Sequence, residues 1–216
     1  MSIDNNYASI IRNLYIRQGL TAKDIGAQLK LTVWQVYRVM KKIGLARRTH
    51  KQTQALLFSK KPLSYMLNST LSAEEKILLR AGLFLYWGEG AKSKPYIVDF
   101  ANSDVKMVRI FLATLRHIYK VQENRLRILL YCYANQNPDE LVSYWSETLH
   151  IPRSQFTKPY IRRDYDVRKI HKMHHGLVHV RYNDKKLFMQ IINDIDIIST
   201  TLITRWDGRV AKYTSL

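Results

Sequence analysis

The stretch from Leu78 to Gly90, L-L-R-A-G-L-F-L-Y-W-G-E-G, constrains this 216-residue chain more than any other. It is apolar almost all the way round and stops at one carboxylate between two glycines. At about 100° per residue, Leu78, Ala81, Gly82, Leu85, Gly88 and Glu89 share a stripe roughly 120° wide, with Leu79, Leu83, Tyr86 and Trp87 opposite. A helix apolar on both sides is buried on both sides. The second face is expected to pack on the chain's own core, and the small residues of the first let another backbone come close. Glu89 then ends that contact, where a carboxylate needs a cation, a basic side chain or a metal ion. The simpler alternative is a buried helix that Gly90 caps, with Glu89 in an ordinary salt bridge.

The length leaves room for one domain of ordinary size and a small one, and 46% hydrophobic residues suffice for a core. A net charge of +18 points to a polyanionic partner, nucleic acid first. The charge is spread along the chain, which disfavours a membrane surface. No apolar run approaches the roughly 20 residues of a spanning helix, and M-S-I-D-N-N is no signal peptide. Cys132 is the single cysteine, so no internal disulfide framework exists. These features lead to the expectation of a cytoplasmic, nucleoid-associated protein.

Residues 1 to 45 read as three helices, Tyr7 to Gln18, Ala22 to Leu29 and Val33 to Ile43, with Thr21 and Asp24 in a capping box. The run T-A-K-D-I-G-A-Q-L-K-L-T-V-W-Q-V-Y-R-V-M resembles a helix-turn-helix. Ile25, Leu29, Leu31 and Val36 would be its core, Gly26 the point where the helices touch, and Thr32 the cap of the recognition helix. It departs from that motif at Lys30, where glycine is usual and a left-handed lysine costs about 0.5 to 1 kcal/mol. Trp34, Gln35 and Arg38 would project toward base edges, with Lys41 and Lys42 placed for phosphates. Residues 1 to 60 hold 11 Lys and Arg against 2 acids, a net +9. Arg47, Arg48, His50 and Lys51 read as a basic arm or, equally, a solvated linker. A boundary is expected within residues 59 to 70, around Pro62, with residues 61 to 71 as a linker.

Ser72 and Glu75 form a capping box that opens the Leu78 helix. Beyond Gly90 the pattern predicts a strand over Tyr96 to Ala101, a helix from Asp104 to about Tyr119 capped by Ser103, and a strand over Arg125 to Ala134. A helix over Asp139 to Leu149, strands over Gln155 to Arg162 and Leu177 to Tyr182, and a helix over Lys185 to about Ile195 follow. This mixture, without a Gly-rich phosphate loop, argues for an α+β fold and no small-molecule cofactor. In the second strand Leu126, Ile128, Leu130, Cys132 and Ala134 face the core, leaving Arg125, Arg127, Leu129, Tyr131 and Tyr133 outward. His179 and Arg181, and Lys158, Tyr160 and Arg162, extend that basic and aromatic face, which could lie in a DNA groove.

The Leu78–Gly90 pattern resembles the LAGLIDADG family of homing-endonuclease-like domains. Their signature helix packs against a second copy of itself and ends in a metal-binding acid followed by glycine. Glu89 takes the acid's place, where Asp is commoner, with Gly88 before it and Gly90 as the closing glycine. Over residues 72 to 198 the resemblance implies a mixed α/β domain whose sheet binds double-stranded DNA, with Asp139 to Leu149 as an insertion. It also implies two motif acids that hold Mg²⁺ for site-specific double-strand cleavage. Glu89 would be the catalytic metal ligand, with Lys92 and Asp99 nearby. One motif per chain implies a homodimer whose seam is Leu78, Ala81, Gly82, Leu85 and Gly88. A similar domain joined to a helix-turn-helix occurs in bacterial sporulation regulators, so a non-cutting transcriptional regulator is the alternative.

His171, His174, His175 and His179 are read as phosphate contacts or solvated groups and not as a zinc site, because no cysteine or carboxylate completes a ligand set. S-Y-W-S-E at residues 143 to 147 echoes L-Y-W-G-E but lacks the closing glycine. Residues after Thr201 are expected to be unfolded or loosely docked.

Overall fold

The computed structural model describes residues 3–162 and 173–213. The chain divides into two compact units, Met1–Pro62 and Leu63–Leu216. Its described elements make an α+β protein with one four-stranded mixed sheet.

The first unit contains α1 (Ile3–Arg12), continued by a π turn over Asn13–Arg17, then α2 (Ala22–Leu29), α3 (Val33–Lys42) and α4 (His50–Lys60). The last three begin with the same device. A threonine hydroxyl accepts from the backbone N–H three residues on, and that residue's side chain accepts in return from the threonine N–H. The pairs are Thr21 with Asp24, Thr32 with Gln35, and Thr49 with Gln52. The chain leaves α2 at Lys30, which is left-handed with φ 56°. Gly26 is tied to this turn, because a Cβ there would lie 2.7 Å from Leu31 O. It therefore meets the turn backbone and not the facing helix. Ile11, Leu14, Tyr15, Ile25, Val36, Val39 and Met40 form the core; burying each aliphatic side chain contributes about 1.5–3 kcal/mol.

His50 and Lys51, expected in an arm or a solvated linker, open a helix that runs to Lys60, because Thr49 starts a new capping box. No residue of α4 is fully buried. Lys60 instead holds it to the α1–α2 turn, donating to Gly19 O at 2.8 Å and to Gln18 O.

In the second unit, α5 (Ala73–Glu89) leads into β1 (Val98–Asn102), α6 (Val105–Ala113, continued by a π turn over Thr114–Ile118) and β2 (Arg127–Tyr133). Then come α7 (Pro138–Leu149), β3 (Tyr160–Arg162), β4 (Leu177–Tyr182) and α8 (Lys185–Tyr213). The sheet order is β1-β4-β2-β3. β4 is antiparallel to β1 and to β2, and β2 is parallel to β3. One face buries Val98, Phe100, Ile128, Leu130, Cys132, Val178, Val180 and Tyr182 completely. Leu83, Tyr86, Phe111, Leu115, Trp145 and Leu187 complete that core from the helices. The alternation in β2 holds from Leu126 to Cys132 and then breaks, with Tyr133 buried and Ala134 exposed.

Five expectations need correcting here. Arg125 lies in a 3-10 turn, its guanidinium donating to Asn183 O at 2.7 Å, and Lys158 precedes β3. Asp104, not Ser103, caps α6, its Oδ1 accepting from Lys106 N at 2.7 Å and Met107 N at 3.1 Å. Residues 63–66 are docked, not a plain linker. Ser64 Oγ donates to Asp184 Oδ2 at 2.5 Å, and the Ser64 carbonyl accepts from Tyr182 OH at 2.7 Å. Residues 201–213 continue α8 as helix, with Ile203 and Trp206 more than half exposed. By length and composition alone, Lys185–Asp207 is apolar enough to cross a membrane. Its first half is core material, for Leu187, Phe188, Ile191 and Ile195 are buried in the second unit.

The faces of α5 are rotated from the expected ones. Gly82 is buried against the domain's own Thr114, where an added Cβ would come 2.1 Å from Oγ1. Leu78 and Leu85 also pack on the internal core, so the small-residue stripe serves this fold rather than an open seam. Trp87, expected on the core side, is 48% exposed. The apolar residues left outside are Ile77, Phe84 and Trp87, beside the exposed Gly88. Gly90 ends the helix in an extended conformation; a Cβ there would meet Tyr86 O and its ring at 2.5 Å.

Candidate nucleic-acid interface

On α3, Trp34, Arg38 and Lys41 lie within about 60° of one another around the axis. All three are exposed, Trp34 by 67%. The Arg38 guanidinium lies over the Trp34 ring at 5.2 Å, which spreads a flat cationic and aromatic surface along the helix. Lys42 is exposed on the same flank. Gln35 is not free for a base edge, because its Oε1 accepts from Thr32 N at 2.8 Å and Thr32 Oγ1 at 3.0 Å. Thr32 is equally engaged as the other half of that cap.

The two arginines of the expected arm divide. Arg47 is exposed and lies over the Tyr37 ring at 3.8 Å, a surface position. Arg48 is structural: its N–H donates to Tyr15 OH at 2.6 Å and its guanidinium to Leu20 O at 3.0 Å and to Tyr15 O. It also covers the Tyr15 ring.

In the second unit the sheet's other face is polar and aromatic. Asp99 on β1 stands opposite Arg181 on β4. Its Oδ1 is 2.8 Å from His179 Nδ1, and its Oδ2 accepts from Arg181 Nε at 2.8 Å. Burial pushes the Asp99 carboxyl up, but the His179 hydrogen bond and charge together with Arg181 outweigh it and hold it below the ordinary value. From His179 the rings continue across the sheet to Tyr131 at 4.7 Å and on to Tyr160 at 4.8 Å. Arg127 folds back, donating to Asn124 O and Leu126 O, both at 2.7 Å. Arg162 lies over the buried Tyr133 ring at 5.7 Å. The face is therefore less cationic than its sequence and more aromatic. Alternation in V-D-F-A-N already places Asp99 on this face; its partnership with His179 and Arg181 needed the strand order.

Glu89 ends α5 beside β1, where Gly90 bridges to Phe100 and Ala91 N donates to Asp99 O at 2.8 Å. It is exposed and, among the described residues, stands in no ion pair. Lys92 and Asp99, expected near it, have other duties. Lys92 Nζ donates to Trp87 O at 2.5 Å, closing the helix end as a cation does best, and Asp99 is pinned between His179 and Arg181. Among the described residues no three His, Cys, Asp or Glu side chains gather as a metal set. Among the described residues, then, those around Glu89 do not by themselves make a magnesium site. His171 lies outside the described residues, while His175 stacks on Tyr144 at 3.9 Å and its carbonyl accepts from Trp145 Nε1 at 2.6 Å.

No protein-family model matches this chain, and no curated protein or solved structure is significantly similar to it.

Proposed function

We propose that this chain is a sequence-directed DNA-binding protein, with α2 and α3 acting as a helix-turn-helix and the second unit as a LAGLIDADG-like domain. The observation that carries the reading is the exposed Trp34–Arg38–Lys41 surface on a capped helix, in a unit with 11 basic and 2 acidic residues over positions 1 to 60. Arg38 offers a planar donor pair to base edges, and Lys41 offers a point charge to phosphate. The helix–strand order of the second unit, with an open sheet face and a glycine-flanked acid ending α5, supports the domain reading. The test is anisotropy with a selected duplex and scrambled duplexes over a range of salt. Arg38→Ala should lose discrimination. Lys41→Ala should weaken all duplexes alike and lower the log–log salt slope by about 0.9. Equal losses on every duplex from both variants would remove the recognition role of α3.

Metal-dependent double-strand cleavage is the second reading, favoured by the exposed Glu89. It requires a second copy of the chain, because one copy supplies one acid. Ile77 and Phe84, 66% and 41% exposed, form with Gly88 the α5 surface on which that copy would sit. Ile77→Asp combined with Phe84→Asp should leave a folded chain that sediments as a monomer on DNA. Glu89→Gln should keep DNA binding and stop any Mg²⁺-dependent cutting of a plasmid that carries the site. Binding without cutting by the unmodified chain leaves the regulator as the function.

A further inference from the structure

The row His179–Tyr131–Tyr160 crosses three strands with successive ring centroids 4.7 and 4.8 Å apart. Its inner end is anchored, because Asp99 holds the His179 ring by Nδ1 at 2.8 Å. Its outer end is open: Tyr160 lies on the edge strand β3 and is 56% exposed, next to Ile161 at 49%. Cross-strand packing explains Tyr131, which has a ring on each side. It does not explain a tyrosine ring left more than half exposed at a sheet edge, where exposed apolar side chains invite unwanted pairing. A row of rings with one uncovered end is a stack that can accept a further plane.

We propose that Tyr160 stacks an unpaired base, so that the sheet face binds single-stranded nucleic acid. This rests on the reading that the second unit contacts nucleic acid, and it names the form of the ligand. Bases inside a duplex already stack on their neighbours and cannot offer a face to a tyrosine, whereas splayed bases do. A cation near the open end fits a phosphate backbone: the exposed Lys158 lies two residues before Tyr160. Arg181, at the other end, is already matched by Asp99, and Arg127 is turned to backbone carbonyls.

The test uses the full chain and three fluorescein-labelled probes: oligothymidylate, oligouridylate and a duplex. Both single strands should bind with the unmodified chain, and the tighter one identifies DNA or RNA as the source of the unpaired base. Tyr160→Ala should weaken single-strand binding about ten-fold. Tyr160→Phe, which keeps the ring, should not, and the duplex should bind all three proteins alike. Circular dichroism checks that Tyr160→Ala remains folded, as its exposed edge position leads one to expect. Duplex binding with no single-strand binding, or unchanged single-strand affinity in Tyr160→Ala, overturns this proposal and leaves the DNA-binding reading standing. No binding to any of the three probes overturns both.

Discussion

Gly82 sits so close to Thr114 that a single added carbon would fall 2.1 Å from the threonine hydroxyl oxygen and 2.6 Å from its Cβ. Thr114 cannot easily retreat, because its hydroxyl donates to Ile110 O at 2.9 Å and lies 3.3 Å from Leu78 O. Gly82→Ala is therefore expected to destabilise the second unit by about 1–3 kcal/mol through overpacking. Gly88, with nothing within 4 Å of its would-be Cβ, should behave oppositely. Gly88→Ala should stabilise α5 by about 0.5–1 kcal/mol. Urea midpoints for the two variants check both signs.

Acid should loosen the second unit through two carboxyls. Asp99 is held low as described above. Burial raises the Asp184 carboxyl, but Ser64, the Leu187 and Lys186 N–H groups and Arg125 together hold it below its usual 3.8. A carboxyl whose pKa is lower in the folded chain gives its full stabilisation above the unfolded value, near 4. That contribution fades as pH falls below about 4, through the folded values. Asp99→Asn should cost about 1.5–3 kcal/mol at neutral pH, the range for hydrogen bonds to charged groups. It should also flatten the fall of the urea midpoint below pH 4. An equally steep fall in the variant would place the acid sensitivity elsewhere.

Arg48→Ala should unfold or loosen the first unit rather than remove one phosphate contact. The side chain donates to two carbonyls and covers Tyr15. Leaving those acceptors unmet costs about 1–3 kcal/mol. Thermal melting followed by circular dichroism should show the loss without DNA, whereas Arg47→Ala, at the surface, should melt like the unmodified chain.

Gln35 is expected to act on stability before sequence choice. Gln35→Ala breaks half of the Thr32 capping box, at about 0.5–1 kcal/mol, and should weaken binding to all duplexes alike. Gln35→Glu keeps the acceptor and adds a negative charge at a helix start, so the fold should hold or gain slightly. The same charge should repel DNA. A melting curve and an affinity that move in opposite directions would show the two roles separately.

Much of the fold was legible in the chain because its signals are local. Thr21 with Asp24 and Ser72 with Glu75 announce helix starts three residues apart, and V-H-V-R-Y alternates across a strand without help from any neighbour. Thr49 with Gln52 carried the same signal for α4 and was outweighed by the charge around it. The face of α5 was not legible. Whether a glycine stripe opens outward or receives an internal threonine depends on Thr114, 32 positions after Gly82. Basic residues misled for a related reason: Arg48 and Arg125 resemble DNA contacts in the sequence and Lys92 a companion of the motif acid, yet their partners are distant or backbone carbonyls. Asp99 and His179 share one face by parity, but only the placement of β4 beside β1 joins them.

That placement also sets an order of events in a growing chain. β1 and β2 never pair with each other, and the last strand, Leu177–Tyr182, is the seam between them. Until residue 182 has been synthesised, β1 stays apart from the β2–β3 pair, and the edges that β4 will join are unpaired. The first unit, built from neighbouring helices, needs nothing beyond residue 62 and can fold early. The second must hold its apolar strands without their partner for most of its own length, the condition under which nascent domains are most exposed to aggregation.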